Sequence, residues 1–316
     1  MHLNSFYYEL PDERVALRPA LAQDRVRLMV VDRRAGTIAH RRAVDVPDYV
    51  DPPDRAFINQ AQPVPTRLVG VREGNGGRIE VVLLRERKHN EWEVLIRCSE
   101  ATRGTRNGSR YFFAGGRIQA VTLQDNANGR TCVRFETEAP LTKLLETAGA
   151  PPPPGLPPDW PLTDLSERKE AVGVEQVTLK SGLSSLRAIE TEDIRLHRLQ
   201  PVDYRIPREA ARHYAETRAA GGRIVAFGGA VVRALETVVR EQGRVAPCEG
   251  QTELFVCPPE AVQSVDALLT HFHPPRSAPL ILASAFGGPD LIREAYETAV
   301  REQYRFHQYG DLMLIL

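Results

Sequence analysis

Between Arg67 and Phe135 the runs RIEVVLLRE, EWEVLIRC, RYFFA, RIQAVTLQ and RTCVRFE alternate with Gly- and Asn-containing turns at short spacing. That pattern predicts an antiparallel sheet or barrel. The flanking segments read differently. Upstream, RLMVVD and TIAH on either side of the turn Arg33 to Gly36 predict a hairpin, and the Pro- and Asp-rich stretch Asp45 to Asp54 predicts a loop. Downstream, EQVTLKSG reads as a strand, Arg208 to Ala220 as a helix closed by Gly221-Gly222, and RIVAFGG as a buried strand running into a helix from Ala230 to Gln242. This strand, turn and helix order predicts a second, mainly parallel domain in which binding groups gather where strands end and helices begin.

Leu141 to Ala148 has a helical pattern, and PPPPGLPPDWP after it is too proline-rich for a helix or a central strand, so an extended connector is expected. Near the C-terminus, LFV and ALLT read as short buried strands, and Leu280 to Phe286 is an apolar segment ending at Gly287-Gly288. From Leu291 to Val300 apolar residues recur at helical spacing; Asp290 is the expected N-cap, the helix should fade near Tyr304, and LMLIL forms a final strand.

A chain of 316 residues suits two domains. Lys plus Arg and Asp plus Glu number 41 each, so no overall basic excess attracts a phosphate backbone from a distance. Arg103, Arg106 and Arg110 form either a local basic patch or a solvated face. The four cysteines show neither a CxxC pair nor ligand spacing, which predicts buried thiols and no metal. No apolar run approaches the roughly 20 residues that span a bilayer, so a soluble cytoplasmic protein, with a monomer favoured, is expected.

Two constellations can carry chemistry. At Phe227-Gly228-Gly229 a strand enters a glycine turn and then a helix bearing Arg233 and Glu236, so backbone N–H groups can face an anion or carboxylate; equally, the glycines can serve close helix packing. Thr270, His271, His273 and Arg276 follow a strand, with both imidazoles on one face if the backbone stays extended. Imidazoles exchange protons near neutral pH, Arg276 can hold a carboxylate or phosphate, and a purely structural histidine is the alternative. His-x-His without a third ligand does not make a metal site.

The block Val265 to Pro274, with Thr252 to Val256, Ser284-Ala285-Phe286, Ala295-Tyr296, Tyr304-Arg305-Phe306 and Tyr309-Gly310-Asp311, resembles the C-terminal part of the S-adenosylmethionine:tRNA ribosyltransferase-isomerase family. FYYELP (Phe6 to Pro11), Arg27-Leu28, Arg67-Leu68 and GGRIEV (Gly76 to Val81) extend the likeness over nearly the whole chain. The resemblance implies an α/β fold: a large mixed α/β domain, discontinuous over 1–65 and 150–316, with a small antiparallel β-barrel inserted at 66–149. It also implies S-adenosylmethionine as substrate, with its ribosyl part transferred to a 7-aminomethyl-7-deazaguanine base in tRNA, adenine and methionine released, and no metal used.

Departures from the family pattern are concentrated in one region. Its P-T-A-G-L-H-F motif has no counterpart between Leu165 and Thr178, Lys180 stands where the family has a histidine, and His197 keeps the first imidazole of a pair whose second is Gln200. Gly229 and Ala230 replace hydroxyl residues, and His271 replaces an Asn. On this likeness Lys180, His197 and His273 are the expected catalytic groups, while Arg233, Glu236, Thr270, Arg276, Tyr309 and Asp311 are expected at the binding site. Three readings stay open: an S-adenosylmethionine-using transferase/isomerase with a small-molecule acceptor, the tRNA enzyme itself, and a catalytically silent binding or scaffold protein.

Overall fold

The computed structural model describes residues 1–16, 20, 22, 25–61, 66–74, 76–98, 107–125, 130–137, 141, 144–145, 172–180 and 189–316. They separate into two compact units. The first is built on a nine-stranded sheet and the second on a closed barrel.

The barrel consists of β4 (Arg67–Arg72), β5 (Arg78–Lys88), β6 (Glu91–Cys98), β7 (Arg110–Phe113), β8 (Ile118–Asp125) and β9 (Arg130–Glu136), closed in the order β4-β5-β6-β9-β8-β7 with every neighbour antiparallel. Alternation explains the closure. Val81, Leu83, Trp92, Val94, Tyr111, Phe113, Val133 and Phe135 point inward and fill it, leaving no sheet edge. Arg110, one of three arginines considered for a basic patch, pairs with Glu136 at 3.1 Å; Arg103 and Arg106 lie outside the described residues.

The large sheet contains β1 (Arg27–Asp32), β2 (Thr37–Arg42), β3 (Arg55–Asn59), β10 (Gly173–Leu179), β11 (Val202–Ile206), β12 (Ile224–Phe227), β13 (Cys248–Thr252), β14 (Ala267–His271) and β15 (Leu312–Ile315). Their order is β13-β11-β10-β3-β12-β14-β15-β1-β2. The expected hairpin is β1–β2. Four neighbouring pairs are parallel, β10–β3, β3–β12, β12–β14 and β15–β1, and the other four are antiparallel, so the sheet is mixed and the expectation of a mainly parallel one is corrected. Only β1–β2 is a tight hairpin; β11–β13 and β14–β15 pair antiparallel across long connections that contain helices, so strand direction here follows where distant segments dock.

Among the described residues four helices belong with this sheet: α1 (Arg208–Ala219), α2 (Gly229–Gln242), α3 (Ala278–Gly287) and α4 (Pro289–Arg301). The apolar segment Leu280 to Phe286 is α3, buried nearly all round. In α4, Ile292, Ala295, Tyr296 and Ala299 form the buried stripe; Gly288 is its N-cap, Asp290 sits in the first turn, and the helix ends at Arg301, three residues before the expected point. Asp45 to Asp54 is only partly loop, since Ala43–Tyr49 winds into 3-10 turns. LFV is not a strand. There Thr252 Oγ1 accepts the Leu254 N–H at 3.1 Å and the Leu254 carbonyl accepts Arg233 Nε at 3.0 Å, so side chains hold the segment where a sheet partner was expected. Of the helix expected over Leu141 to Ala148, the described residues 141, 144 and 145 are helical; the proline connector and Ser181 to Leu186 lie outside the described residues.

Candidate active site

Strands β10, β3, β12 and β14 run parallel side by side, so their carboxyl ends line one edge. At about 4.8 Å per strand the outer two ends are roughly 14 Å apart, the width of a nucleoside-sized ligand with a short arm. Ligands of open α/β sheets lie beyond such ends.

Along that edge β10 delivers Lys180, β3 delivers Asn59, β12 delivers Gly228-Gly229 and β14 delivers Thr270 to His273. Asn59 joins the first two ends, its Oδ1 accepting the Leu179 N–H (2.9 Å) and its Nδ2 donating to the Leu179 carbonyl (3.1 Å). The Gly228 N–H donates to the Leu269 carbonyl (2.8 Å) and joins the last two. Gly228 has φ 92° and ψ 149°, a region that essentially only glycine populates, and this turns the chain sharply into α2.

His273 is fixed from three sides. Its Nε2 lies 2.9 Å from Thr270 Oγ1, its N–H donates to the Tyr296 hydroxyl at 3.1 Å, and its carbonyl accepts the Tyr8 hydroxyl. Tyr8, Phe272, Tyr296 and Phe306 form an aromatic cluster with ring centroids 5.2–6.2 Å apart, so the loop is packed as well as hydrogen-bonded. Burial pushes the Tyr296 hydroxyl far above its ordinary range, keeping it protonated.

His271 and His307 complete an imidazole cluster with His273. The His307 N–H donates to the Phe272 carbonyl (2.8 Å), and His271 Nδ1 is 3.4 Å from the Asp311 carbonyl. Burial lowers the pKa of all three, to about 3 for His273 and about 4 for His307; repulsion from neighbouring imidazoles lowers these two further, while backbone carbonyls at Asp311 and Gly310 partly offset the effect on His271. At neutral pH these three imidazoles are therefore neutral, able to orient and accept hydrogen bonds.

The remaining expected residues divide into distinct settings. Glu236 is fully buried and accepts the Gln263 and Ser264 N–H groups and Arg240 Nε, each at 3.0 Å, so it ties α2 to the approach of β14. Asp311 accepts the N–H groups of Arg27 (2.9 Å) and Arg305 (2.8 Å), binding the start of β1 to the turn before β15; burial raises its pKa. Tyr309 is half-buried in that same turn. Arg276 adopts φ 57°, donates its N–H to the Phe6 carbonyl and lays its guanidinium over the Tyr7 ring at 4.8 Å. His197 packs edge-on against Phe255, centroids 5.0 Å apart, with its pKa lowered by burial. Through Phe255 and its neighbour Leu254 it connects to Arg233. Lys180 stands apart, 68% exposed and 3.8 Å from the Asp203 carboxylate.

Tyr8, Tyr296 and His307 were not singled out as site residues in the sequence. FYYELP and Ala295-Tyr296 carried the signal for the two tyrosines, because both segments are shared with the resembling family; nothing in the pattern around His307 announced it. Among the described residues no group of three or more His, Cys, Asp or Glu side chains is arranged to hold a metal, and no helix is long and apolar enough to cross a membrane.

The fold is that of an α/β protein with a core of parallel strands, whose chain carries a β-barrel between two of those strands, β3 and β10. The sequence profile of the family described as queuosine biosynthesis protein matches residues 3–161 and 161–315. The chain belongs to that family. S-adenosylmethionine:tRNA ribosyltransferase-isomerases of Symbiobacterium thermophilum and Pelotomaculum thermopropionicum are 38% and 37% identical to it over 347 positions, covering 100% of both chains in each case. The crystal structure of an S-adenosylmethionine tRNA ribosyltransferase from Thermotoga maritima is similar, with TM-score 0.57, 31% identity, and 99% of this chain and 100% of that chain covered. The Symbiobacterium alignment exceeds this chain by 347 − 316 = 31 positions, and the two profile matches meet at Pro161.

Proposed function

We propose that this protein uses S-adenosylmethionine as a ribosyl donor and transfers and isomerises the ribosyl group onto an amine-bearing base of tRNA, releasing adenine and methionine, in the cytoplasm. One observation carries this reading: segments that the chain shares with its family, the Gly228 turn with Arg233 and the Thr270–His273 block, meet on neighbouring parallel strand ends.

The side chains suit that donor. Neutral His271, His273 and His307 can lie beside a sulfonium without repulsion and offer lone pairs to it. His273, held by Thr270, Tyr8 and Tyr296, orients the ribose and the amine; its low basicity suits hydrogen bonding better than carrying a proton at neutral pH. His197 and Lys180 supply proton transfer and charge at the neighbouring loops. Arg276 on Tyr7 provides a cationic, aromatic surface for a purine ring.

Complementation tests the tRNA assignment. Expression in a bacterium lacking its own ribosyltransferase-isomerase should restore queuosine in tRNA hydrolysates. A verified, folded protein that leaves queuosine absent while still consuming S-adenosylmethionine would favour a second reading, a smaller acceptor, for which the 31 missing positions are the specific support.

A further inference from the structure

Arg233 is a buried cation with no counter-ion among the described residues. It is 7% exposed; its Nε donates to the Leu254 carbonyl at 3.0 Å, and Nη2 is buried with no hydrogen-bond partner. Among the described residues no acidic side chain offsets it, and burial lowers its pKa to about 10. Buried charges are ordinarily paired, so an unpaired one marks a place where an anion is expected.

The backbone around it points the same way. α2 starts at Gly229, one helical turn before Arg233, with neither a side-chain cap nor an acidic residue in its first turn. Its N-terminal N–H groups and the positive end of its dipole are thus left for an incoming anion. Helical side chains lean toward the N-terminus, which carries the Arg233 guanidinium back over that turn.

We infer that Arg233 and the N-terminus of α2 form the seat for the carboxylate of the amino-acid arm of the donor. The inference rests on the proposed donor and adds the group that recognises its arm. A planar guanidinium matches a carboxylate edge, and a residue this deeply buried is reached by one small carboxylate but not by a polynucleotide phosphate.

Calorimetric titration with S-adenosylmethionine and with its decarboxylated analogue tests the seat. In the wild-type protein the carboxylate should tighten binding roughly tenfold to a hundredfold. In Arg233→Gln that preference should vanish, S-adenosylmethionine falling to the analogue's level while the analogue itself changes by less than about threefold. Arg233→Lys, which keeps a point charge without the planar fork, should retain part of the preference. Equal binding of the two compounds by the wild-type protein, or a substitution that weakens both alike, overturns the seat and leaves the donor assignment standing. Wild-type protein that binds neither compound overturns the donor assignment and the seat with it. The wild-type comparison decides even if a variant fails to fold.

Discussion

Thr270 and His273 are joined across the turn that leaves β14 by a 2.9 Å contact between Oγ1 and Nε2, so the second-last residue of the strand sets the ring orientation of His273. Thr270→Val keeps the shape and removes the bond. Stability should fall by about 1 kcal/mol, the usual net worth of a hydrogen bond, and kcat/KM by about tenfold because the ring is no longer held. Steady-state kinetics at matched folded fraction checks this; unchanged kcat/KM would make the contact purely structural.

The imidazole cluster predicts an acid-sensitive fold. Each folded-state pKa lies below the ordinary histidine value of 6.5, so the unfolded chain binds more protons as pH falls through 6.5. Stability is therefore fully present above that value and declines toward about 4 for His307 and about 3 for His273, where the native state also protonates. Between pH 6 and 4 the loss should reach up to about 1.4 kcal/mol per pH unit for each of His273 and His307, with His271 adding in the same direction. His307→Asn, with a side chain tolerant of the φ of 76° found there, should reduce the slope by one such contribution. Urea unfolding midpoints across that range provide the measurement.

Glu236 should behave as a scaffold residue despite lying in a segment shared with the family. Removing it in Glu236→Ala leaves the Gln263 and Ser264 N–H groups and Arg240 Nε without their acceptor, while Arg240 keeps Glu260 through Nη1. A loss of about 3–5 kcal/mol is expected. Chemical denaturation measures it, and a loss below 1 kcal/mol would contradict the buried-clamp role.

Gly228 and Gly229 are neighbours with opposite prospects. Gly228→Ala must place a Cβ at φ 92° and should cost about 1–3 kcal/mol. An added Cβ at Gly229 meets nothing closer than Leu282 at 3.5 Å, an ordinary contact, so Gly229→Ala should stabilise by about 0.4–1 kcal/mol. Thermal unfolding of the pair checks both, and equal effects would refute the argument.

Lys180 gives the smallest expected effect on stability. Its pair with Asp203 is exposed on both sides, 68% and 56%, and 3.8 Å long, so Lys180→Ala should change unfolding free energy by less than about 0.5 kcal/mol. A fall in kcat/KM with stability intact would then report directly on charge supplied to the substrate.

What the sequence revealed depended on how local its cause was. Alternation along RIEVVLLRE and EWEVLIRC, and the glycine turn at Phe227-Gly228-Gly229, act over a few residues, and the barrel and the β12–α2 junction follow from them. LFV was misread because hydrophobicity alone suggested a strand, whereas Thr252 and Arg233, two and 21 residues from Leu254, satisfy its backbone. Parallel and antiparallel pairing in the large sheet likewise depends on where distant segments dock. His307 became visible only once the Phe272 carbonyl, 35 positions away in sequence (307 − 272), was seen to take its N–H.

Chromatographic quantitation of adenine released from S-adenosylmethionine, with and without tRNA bearing the amine precursor base, tests the central claim most directly. Adenine formed in proportion to modified tRNA, and lost in Thr270→Val and Arg233→Gln protein more than stability explains, is the predicted result. A folded protein that releases no adenine in either condition would contradict the account and leave a silent scaffold.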